Sequence, residues 1–348
     1  CVGTPTNKKK NSANLNQVYK VVNNISKYIN KFKIIVTKST VPVTTGDSIA
    51  KLISKKKNKK LFEVVSNPEF LREGEAIRDF MYPDRIIVGS NNRRANNMIK
   101  NLYDPIIKRG GKYFNTSRRA AELIKYASNA FLATKISYIN EISNLCEKVD
   151  VVVEDIAIGM GLDQRIGSRF LRVGPGYGGS CFPKDTKALL DTAKKFKTNL
   201  SIIETTVRSN EKRHHFLLNK INKIMKGKIF KKKITFLGVT FKANTDDMRE
   251  SPSLKLIPQL HKKGAIISYY DPSGFKNDFK KFKNVNYVNK ISLACKNSDL
   301  VILHTEWNEF KNLNFKKLVK KNNFSVYDMR NLYTFNKMIS KGFKYFQI

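Results

Sequence analysis

Phe32-Lys33-Ile34-Ile35-Val36-Thr37, running into Lys38-Ser39-Thr40-Val41-Pro42, decides the fold. β-branched residues give way abruptly to hydroxyl residues and a proline, which is how a buried strand meets the loop at its carboxyl end. The pattern returns at Glu63-Val64-Val65, ending in Ser66-Asn67-Pro68-Glu69-Phe70-Leu71-Arg72-Glu73-Gly74, and again at Asp84-Arg85-Ile86-Ile87-Val88-Gly89. Helical segments separate these strands, so the first third of the chain reads as an α/β domain with a parallel sheet. Such sheets bind ligands at their carboxyl edge, and Thr40, Glu69 and Glu73 all fall there. Glu69 and Glu73 are four apart and would share one face of any helical turn. By themselves two glutamates read equally well as a solvated face.

Residues 117–149 read as one long helix, with Ile124, Ala127, Phe131, Ile139, Ile142 and Leu145 close to the helical period. Its roughly 45 Å would bridge two domains and could carry a subunit interface. Lys125 and Asn129 stand at i and i+4 on one face of it, a spacing that alone describes a surface pair. Shorter helices at 153–160 and 186–196 flank Gly174-Pro175-Gly176-Tyr177-Gly178-Gly179-Ser180-Cys181-Phe182-Pro183-Lys184-Asp185. Glycine gives up more backbone freedom on folding than any other residue, so glycines gather where backbone must approach something closely or adopt positive φ. With a helix beginning near Pro183, the Cys181 thiol lies at a helix N-terminus, where the macrodipole favours a thiolate. A small buried cysteine after a turn is the plainer alternative. Arg165, Arg169 and Arg172, just upstream, have the density to hold an anion.

A second α/β unit starts near residue 232, with strands at 233–239, 265–270, 300–304 and 324–328. It has no Gly-x-Gly-x-x-Gly turn, so it is a nucleotide-type fold without the dinucleotide fingerprint.

Composition narrows the choices. The 348 residues suffice for two or three domains, and no apolar run approaches the ~20 residues of a membrane span. Cys1, Cys146, Cys181 and Cys295 stand far apart, with no spacing for zinc or a disulfide framework, which fits a reduced, cytoplasmic setting. The chain opens on Cys1-Val2-Gly3-Thr4-Pro5-Thr6, which reads as the end of a strand and its loop, as in a fragment that has lost an N-terminal piece. The net charge of +38 raises nucleic acid as a partner. The lysines are spread in short runs without an aromatic–basic motif, so they read as solvated surface.

Taken together, seven motifs in order resemble the UDP-glucose/GDP-mannose dehydrogenase family. They are the opening hexapeptide, Lys38–Pro42, Asn67–Gly74, Tyr82–Gly89, Ala121–Phe131, the glycine–cysteine loop, and Phe241-Lys242-Ala243-Asn244-Thr245-Asp246-Asp247-Met248-Arg249-Glu250-Ser251-Pro252. The resemblance implies two Rossmann-like parallel-sheet domains joined by a long central helix and a helical dimerisation region. Their expected limits are an NAD-binding domain at 1–116, a central domain at 117–212, a basic connector at 213–232 and a UDP-sugar-binding domain at 233–348. It implies a homodimer with NAD as cofactor and UDP-glucose as substrate, oxidised to UDP-glucuronate through a cysteine thiohemiacetal and thioester. GDP-mannose or a UDP-N-acetylhexosamine remains an alternative substrate, and polyanion binding a remoter function.

Roles follow by position. Cys181 would be the nucleophile, Lys125 and Asn129 the oxyanion-stabilising pair, Asp185 and Thr40 partners that position water or assist proton transfer, and Glu69 a general base. Thr4, Thr40, Glu73 and Arg249 would contact the cofactor. Glu69, Lys125, Arg172, Tyr177, Gly178, Lys242 and Arg330 would contact the UDP-sugar, the loop glycines letting backbone approach it. Arg165 would reach the substrate of a neighbouring subunit. The dinucleotide fingerprint that the family carries in its first strand-turn-helix is absent here.

Overall fold

The computed structural model describes residues 2–7 and 12–348, so Cys1 of the opening motif lies outside it. Two compact units form, one from residues up to Phe131 with Lys184–Ser201, the other from Leu132–Pro183 with Ile202–Ile348.

In the first unit, β1 (Thr6–Asn7) and β2 (Ser12–Ala13) make a short antiparallel pair ahead of α1 (Asn16–Lys27). β3 (Lys33–Thr37), α2 (Thr45–Ser54), β4 (Phe62–Ser66), α3 (Ala76–Met81), β5 (Arg85–Gly89), α4 (Arg93–Ile107) and β6 (Lys112–Thr116) then alternate. The strands lie in the order β3-β4-β5-β6. Val64 joins one apolar cluster, with Ile49, Ile53 and Phe62, and its neighbour Val65 joins another, with Ile86, Val88 and Ile99. Successive side chains point to opposite faces, so β4 is covered on both, its polar members Glu63 and Ser66 being bonded to Arg118 and Glu122. β3–β4 and β5–β6 pair in parallel, but β4 meets β5 antiparallel, at Ser66 and Gly89. The alternation of strand and helix locates strands without fixing their direction, so this mixed pairing was not legible in the sequence.

The long helix is α5 (Arg118–Val149), 32 residues. Its first turns are tied to the first sheet by buried polar groups. The Glu122 carboxylate accepts hydrogen bonds from the N–H groups of Thr44 and Gly46, both 2.8 Å, and from the Ser66 hydroxyl, 3.0 Å. Burial pushes this carboxyl above its ordinary range. Arg118 donates to Asp47 and Glu63 on the same side. α6 (Val153–Gly161), α7 (Phe182–Lys195) and α8 (Ser201–Ile224) follow. Residues 213–224, within the expected connector, are the second half of α8, and Leu217 and Ile221 sit fully buried in the core of the second unit.

That unit continues with β7 (Lys233–Leu237), α9 (Ser253–Lys262), β8 (Ile266–Tyr270), β9 (Val285–Tyr287), α10 (Ile291–Cys295), β10 (Leu300–Leu303), α11 (Phe315–Val319), β11 (Ser325–Asp328), α12 (Phe335–Ser340) and β12 (Lys344–Gln347). All pairs are parallel, in the order β12-β11-β10-β7-β8-β9. The chain winds outward from β7 to β9, then restarts at β10 on the other side. The reversal between β7 and β10 is the topological switch point, where open α/β sheets leave a crevice for a ligand. This doubly wound order makes the second unit Rossmann-like, and the first shares its alternation of strand and helix with one antiparallel step.

One residue at that crevice gives a pH test. His304 follows β10, is fully buried, and shares a 3.0 Å hydrogen bond between Nδ1 and the Thr305 hydroxyl. Burial, with the Arg330 cation nearby, pushes its pKa down to about 3 from 6.5. Below pH 6.5 the unfolded chain takes up this proton and the folded chain does not, so stability is lost as pH falls from 6.5 towards 3. Asp328, raised to about 6 by burial, acts oppositely, losing stability as pH rises from 3.8 through 6. We expect His304→Gln to flatten the acid-side fall in unfolding midpoint relative to wild type, with Asp328 contributing equally to both. Parallel midpoint-against-pH curves would refute the burial of a neutral imidazole.

Candidate functional site

Each unit assembles its own cluster of the residues picked out by sequence. In the first unit, Lys125 on α5 is 3 % exposed. Its ammonium lies 3.3 Å from Glu69 Oε1 and 5.1 Å from the centre of the Phe70 ring. The Arg85 guanidinium lies 4.1 Å from the same ring. Glu69 Oε2 accepts the backbone N–H of Leu71 at 2.6 Å. This turn replaces the helical one that would have put Glu69 and Glu73 on one face, because residues 67–72 are not helical and Glu73 sits in a separate turn before α3. One α-helical turn beyond Lys125, Asn129 donates from Nδ2 to Asp185 Oδ2 at 2.6 Å. Asp185 stands in the first turn of α7, is 1 % exposed and also accepts from the Lys184 ammonium. A buried ammonium, two carboxylates and an amide thus gather on the α5 face, a set able to stabilise an oxyanion and to move protons.

At the edge of β3, the Thr4 hydroxyl donates to the Thr40 carbonyl at 3.1 Å and the Ser39 hydroxyl to the Val2 carbonyl at 3.4 Å. These tie the opening segment to the carboxyl end of the strand. Asn67 was not singled out by sequence. It accepts from the Lys38 ammonium and the Tyr103 hydroxyl and donates to the Ile87 carbonyl.

In the second unit, the cysteine loop lies on the segment that follows β7. Gly179 donates its N–H to the Arg249 carbonyl at 2.7 Å. A Cβ on Gly178 would stand 2.5 Å from the Glu250 carbonyl oxygen, and one on Gly179, whose φ is +78°, would stand 2.7 Å from the Phe241 ring. These two glycines serve the contact of the loop with its own protein rather than only an approach to sugar. Cys181, exposed and free, immediately precedes the first residue of α7, and its sulfur lies 3.6 Å from the Ser180 hydroxyl.

Arg330, just past β11, donates from Nε to the His304 carbonyl at 2.9 Å and from Nη2 to the Phe241 carbonyl at 3.0 Å. A Cβ on Gly174 would meet its Nη1 at 3.0 Å. Arg330 therefore links the switch-point crevice to the start of the cysteine loop. The Lys242 ammonium lies 5.6 Å from the centre of the Phe241 ring. The Arg249 guanidinium is held by Asp247 at 2.8 and 2.9 Å. Arg165 is 89 % exposed and paired with Asp163 at 2.6 Å, and Arg172 is exposed.

Sequence reasoning missed Asn140, Asn210 and Arg213. Asn140 Oδ1 accepts the Gly174 N–H at 2.9 Å and Arg213 Nε donates to the Gly174 carbonyl at 3.0 Å. Asn210 accepts the Tyr177 N–H at 2.9 Å and donates to the Tyr177 carbonyl at 3.1 Å. The signal was present, since residues 210, 213, 217 and 221 form one stripe of α8 at helical spacing, with two polar residues in line with two core leucine and isoleucine positions.

A thiol loop over the switch point of a parallel sheet, and a separate α/β unit with acid and base groups at its edge, define a nucleotide-dependent α/β dehydrogenase. Comparison with known proteins makes this specific. Residues 1–107 match the NAD binding domain of the UDP-glucose/GDP-mannose dehydrogenase family, 119–212 its central domain and 235–335 its UDP binding domain. The chain is 43% identical to UDP-glucose 6-dehydrogenase of Rickettsia felis, covering 100% of this chain and 78% of the relative. It is 44% identical to that of Rhizobium meliloti, covering 100% and 80%. The structure of a UDP-glucose dehydrogenase from Pyrobaculum islandicum superposes with a TM-score of 0.88 at 30% identity, covering 100% of this chain and 78% of that one. The chain belongs to the UDP-glucose/GDP-mannose dehydrogenase family, and its cofactor is NAD.

The donor set in the first unit fits part of that cofactor. Thr4, Ser39 and Thr40 bring hydroxyls to the β3 edge, and Gly3 between them is open, a Cβ there meeting nothing closer than 4.0 Å. Hydroxyls suit the ribose hydroxyls and the carboxamide of a nicotinamide nucleotide. No residue described here is assigned to the pyrophosphate.

Proposed function

We propose that this chain oxidises UDP-glucose to UDP-glucuronate with NAD, removing four electrons without releasing the aldehyde. The observation that carries the reading is the exposed Cys181 thiol at the head of α7, on a loop fixed over the crevice of a nucleotide-type sheet. Relatives named for that reaction support the choice of sugar.

When bound, NAD supplies the acceptor for the hydride lost at each oxidation, and we assign its contacts to Thr4, Thr40, Glu73 and Arg249. Arg172, Tyr177, Gly178, Lys242 and Arg330 hold the UDP-sugar, the cations offsetting the diphosphate. The alcohol must lose a proton as it becomes an aldehyde, and Asp185 and Thr40 assist that transfer. Cys181 Sγ then bonds to the aldehyde carbon, a step suited to a thiolate. The oxygen that becomes negative is held by the Lys125 ammonium and by the amide hydrogen of Asn129 not engaged by Asp185. After the second oxidation the carbon is a thioester. Glu69 takes a proton from water, the hydroxide attacks, the C–S bond breaks and the thiol is restored beside a carboxylate.

The division into an NAD-binding part at 1–116, a central part at 117–212 and a UDP-sugar part at 233–348 belongs to the same proposal. So does a homodimer along α5, which exposes Leu123, Phe131, Tyr138 and Leu145, with Arg165 serving the neighbouring subunit. Sedimentation of a monomer at micromolar concentration would overturn it. We place the protein in the cytoplasm, where Cys181 stays a thiol. Among the described residues no helix is long and apolar enough to cross a membrane.

The test is NADH formation with UDP-glucose, GDP-mannose and UDP-N-acetylglucosamine supplied separately to the complete protein. UDP-glucose should be oxidised with the highest kcat/KM. Preference for either other sugar reassigns the substrate, and salt-sensitive retention on nucleic acid without NADH from any sugar favours polyanion binding.

A further inference from the structure

We propose that Asn210 and Arg213 of α8 are positioning residues for the reacting thiol, acting by clamping the glycine loop that presents Cys181. The inference rests on the reading of Cys181 as nucleophile. The stretch from Gly174 to Gly179 is glycine-rich and would sample many backbone conformations if left to itself. The structure grips it at two residues, by both peptide groups of each. At Gly174 the N–H goes to Asn140 Oδ1 and the carbonyl receives Arg213 Nε. At Tyr177 the N–H goes to Asn210 Oδ1 and the carbonyl receives Asn210 Nδ2. Between them Gly176, with φ +126°, makes room for the clamp, since a Cβ there would stand 2.9 Å from Asn210 Oδ1.

Arg213 is an expensive residue to put here. It is 6 % exposed, burial pushes its pKa down to about 10, and its Nη2 has no hydrogen-bond partner among the described residues. A desolvated guanidinium is tolerated only where its bonds repay the cost. Beyond Gly174, those bonds run from Nη1 to the Asn140 carbonyl at 3.0 Å and to Asn144 Oδ1 at 3.1 Å. Arg213 thus fixes both the loop and the stretch of α5 that holds the loop's other side. Among the described residues neither is hydrogen-bonded to Cys181, so their effect on chemistry would be indirect. A misplacement of about 1 Å at a reacting centre can cost ~100-fold in rate.

Asn210→Ala, Asn210→Asp, Arg213→Ala and Arg213→Lys in the complete protein test this. Asn210→Ala removes two hydrogen bonds and should lower kcat by about tenfold or more. Because Tyr177 is itself assigned to the UDP-sugar, the UDP-glucose dissociation constant measured by calorimetry should rise, but by much less than kcat falls. Asn210→Asp keeps an acceptor for the Tyr177 N–H and should recover part of kcat, as should Arg213→Lys relative to Arg213→Ala. Alkylation of Cys181 by iodoacetamide separates the two ideas. If alkylated wild type keeps its activity, the reading of Cys181 itself fails. If alkylation abolishes activity but Asn210→Ala keeps a normal kcat, the clamp is overturned while the nucleophile stands. A fall in kcat matched by an equal loss of UDP-glucose affinity in folded Asn210→Ala would also overturn it, making Asn210 a support of the substrate site.

Discussion

Cys181→Ser in the complete protein stops net formation of UDP-glucuronate. The thiol is exposed at the head of α7, on a loop pinned to residues 241–250. Serine preserves size and hydrogen bonding but its hydroxyl is a far weaker nucleophile at neutral pH than a thiol. Any ester it formed would also be cleaved much more slowly than a thioester. The substitution is at an exposed position that fills no core, so folding and UDP-glucose binding should survive. The measurement is acid produced per enzyme over hours, with bound UDP-glucose confirmed by calorimetry. Acid at the wild-type rate would end the covalent mechanism.

Lys125→Ala should lower kcat by about a hundredfold or more, the usual scale for losing one group that stabilises an oxyanion. The affinity for UDP-glucose should change much less, because the interaction strengthens as negative charge develops on the sugar oxygen. The environment supports this division. The ammonium is buried, next to Glu69 Oε1 and the Phe70 ring, so water screens its field poorly. Removing it also leaves the partly exposed Glu69 carboxylate without its cation, so Glu69 should be a poorer hydrolytic residue in the variant. A single-turnover experiment that separates hydride loss from acid release distinguishes the two contributions. If affinity collapsed while kcat held, Lys125 would be a binding residue instead.

What the sequence disclosed and what it hid have different physical origins. β4, β5 and the core strands of the second sheet were legible because burial selects apolar residues with polar ones at the strand ends, whereas β3, whose residues are half-buried or exposed, was legible from its β-branched residues alone. α5 was legible from its apolar period, and the cysteine loop from a glycine density that no helix or strand tolerates. What remained hidden depended on distant partners. Nothing local to Gly178 says that Glu250 lies against it, and nothing local to Asn210 says that it will hold Tyr177. A polar residue on the buried stripe of α8 looks like any solvated asparagine until the loop it grips is placed. The antiparallel step from β4 to β5 was invisible for a related reason, since strand direction is set by the path of the intervening chain. Glu69 and Glu73 would have shared a face only in a helical turn, and residues 67–72 are not helical, with Glu69 accepting the Leu71 N–H instead.

The central claim, two successive oxidations on one enzyme with the intermediate held on Cys181, is tested most directly by stoichiometry. The complete protein is given limiting UDP-glucose, excess NAD and an aldehyde trap such as semicarbazide at a concentration that leaves the enzyme active. The account predicts two NADH formed for each UDP-glucose consumed, one UDP-glucuronate, and no trapped aldehyde. One NADH per UDP-glucose, with the aldehyde recovered in the trap, would contradict it.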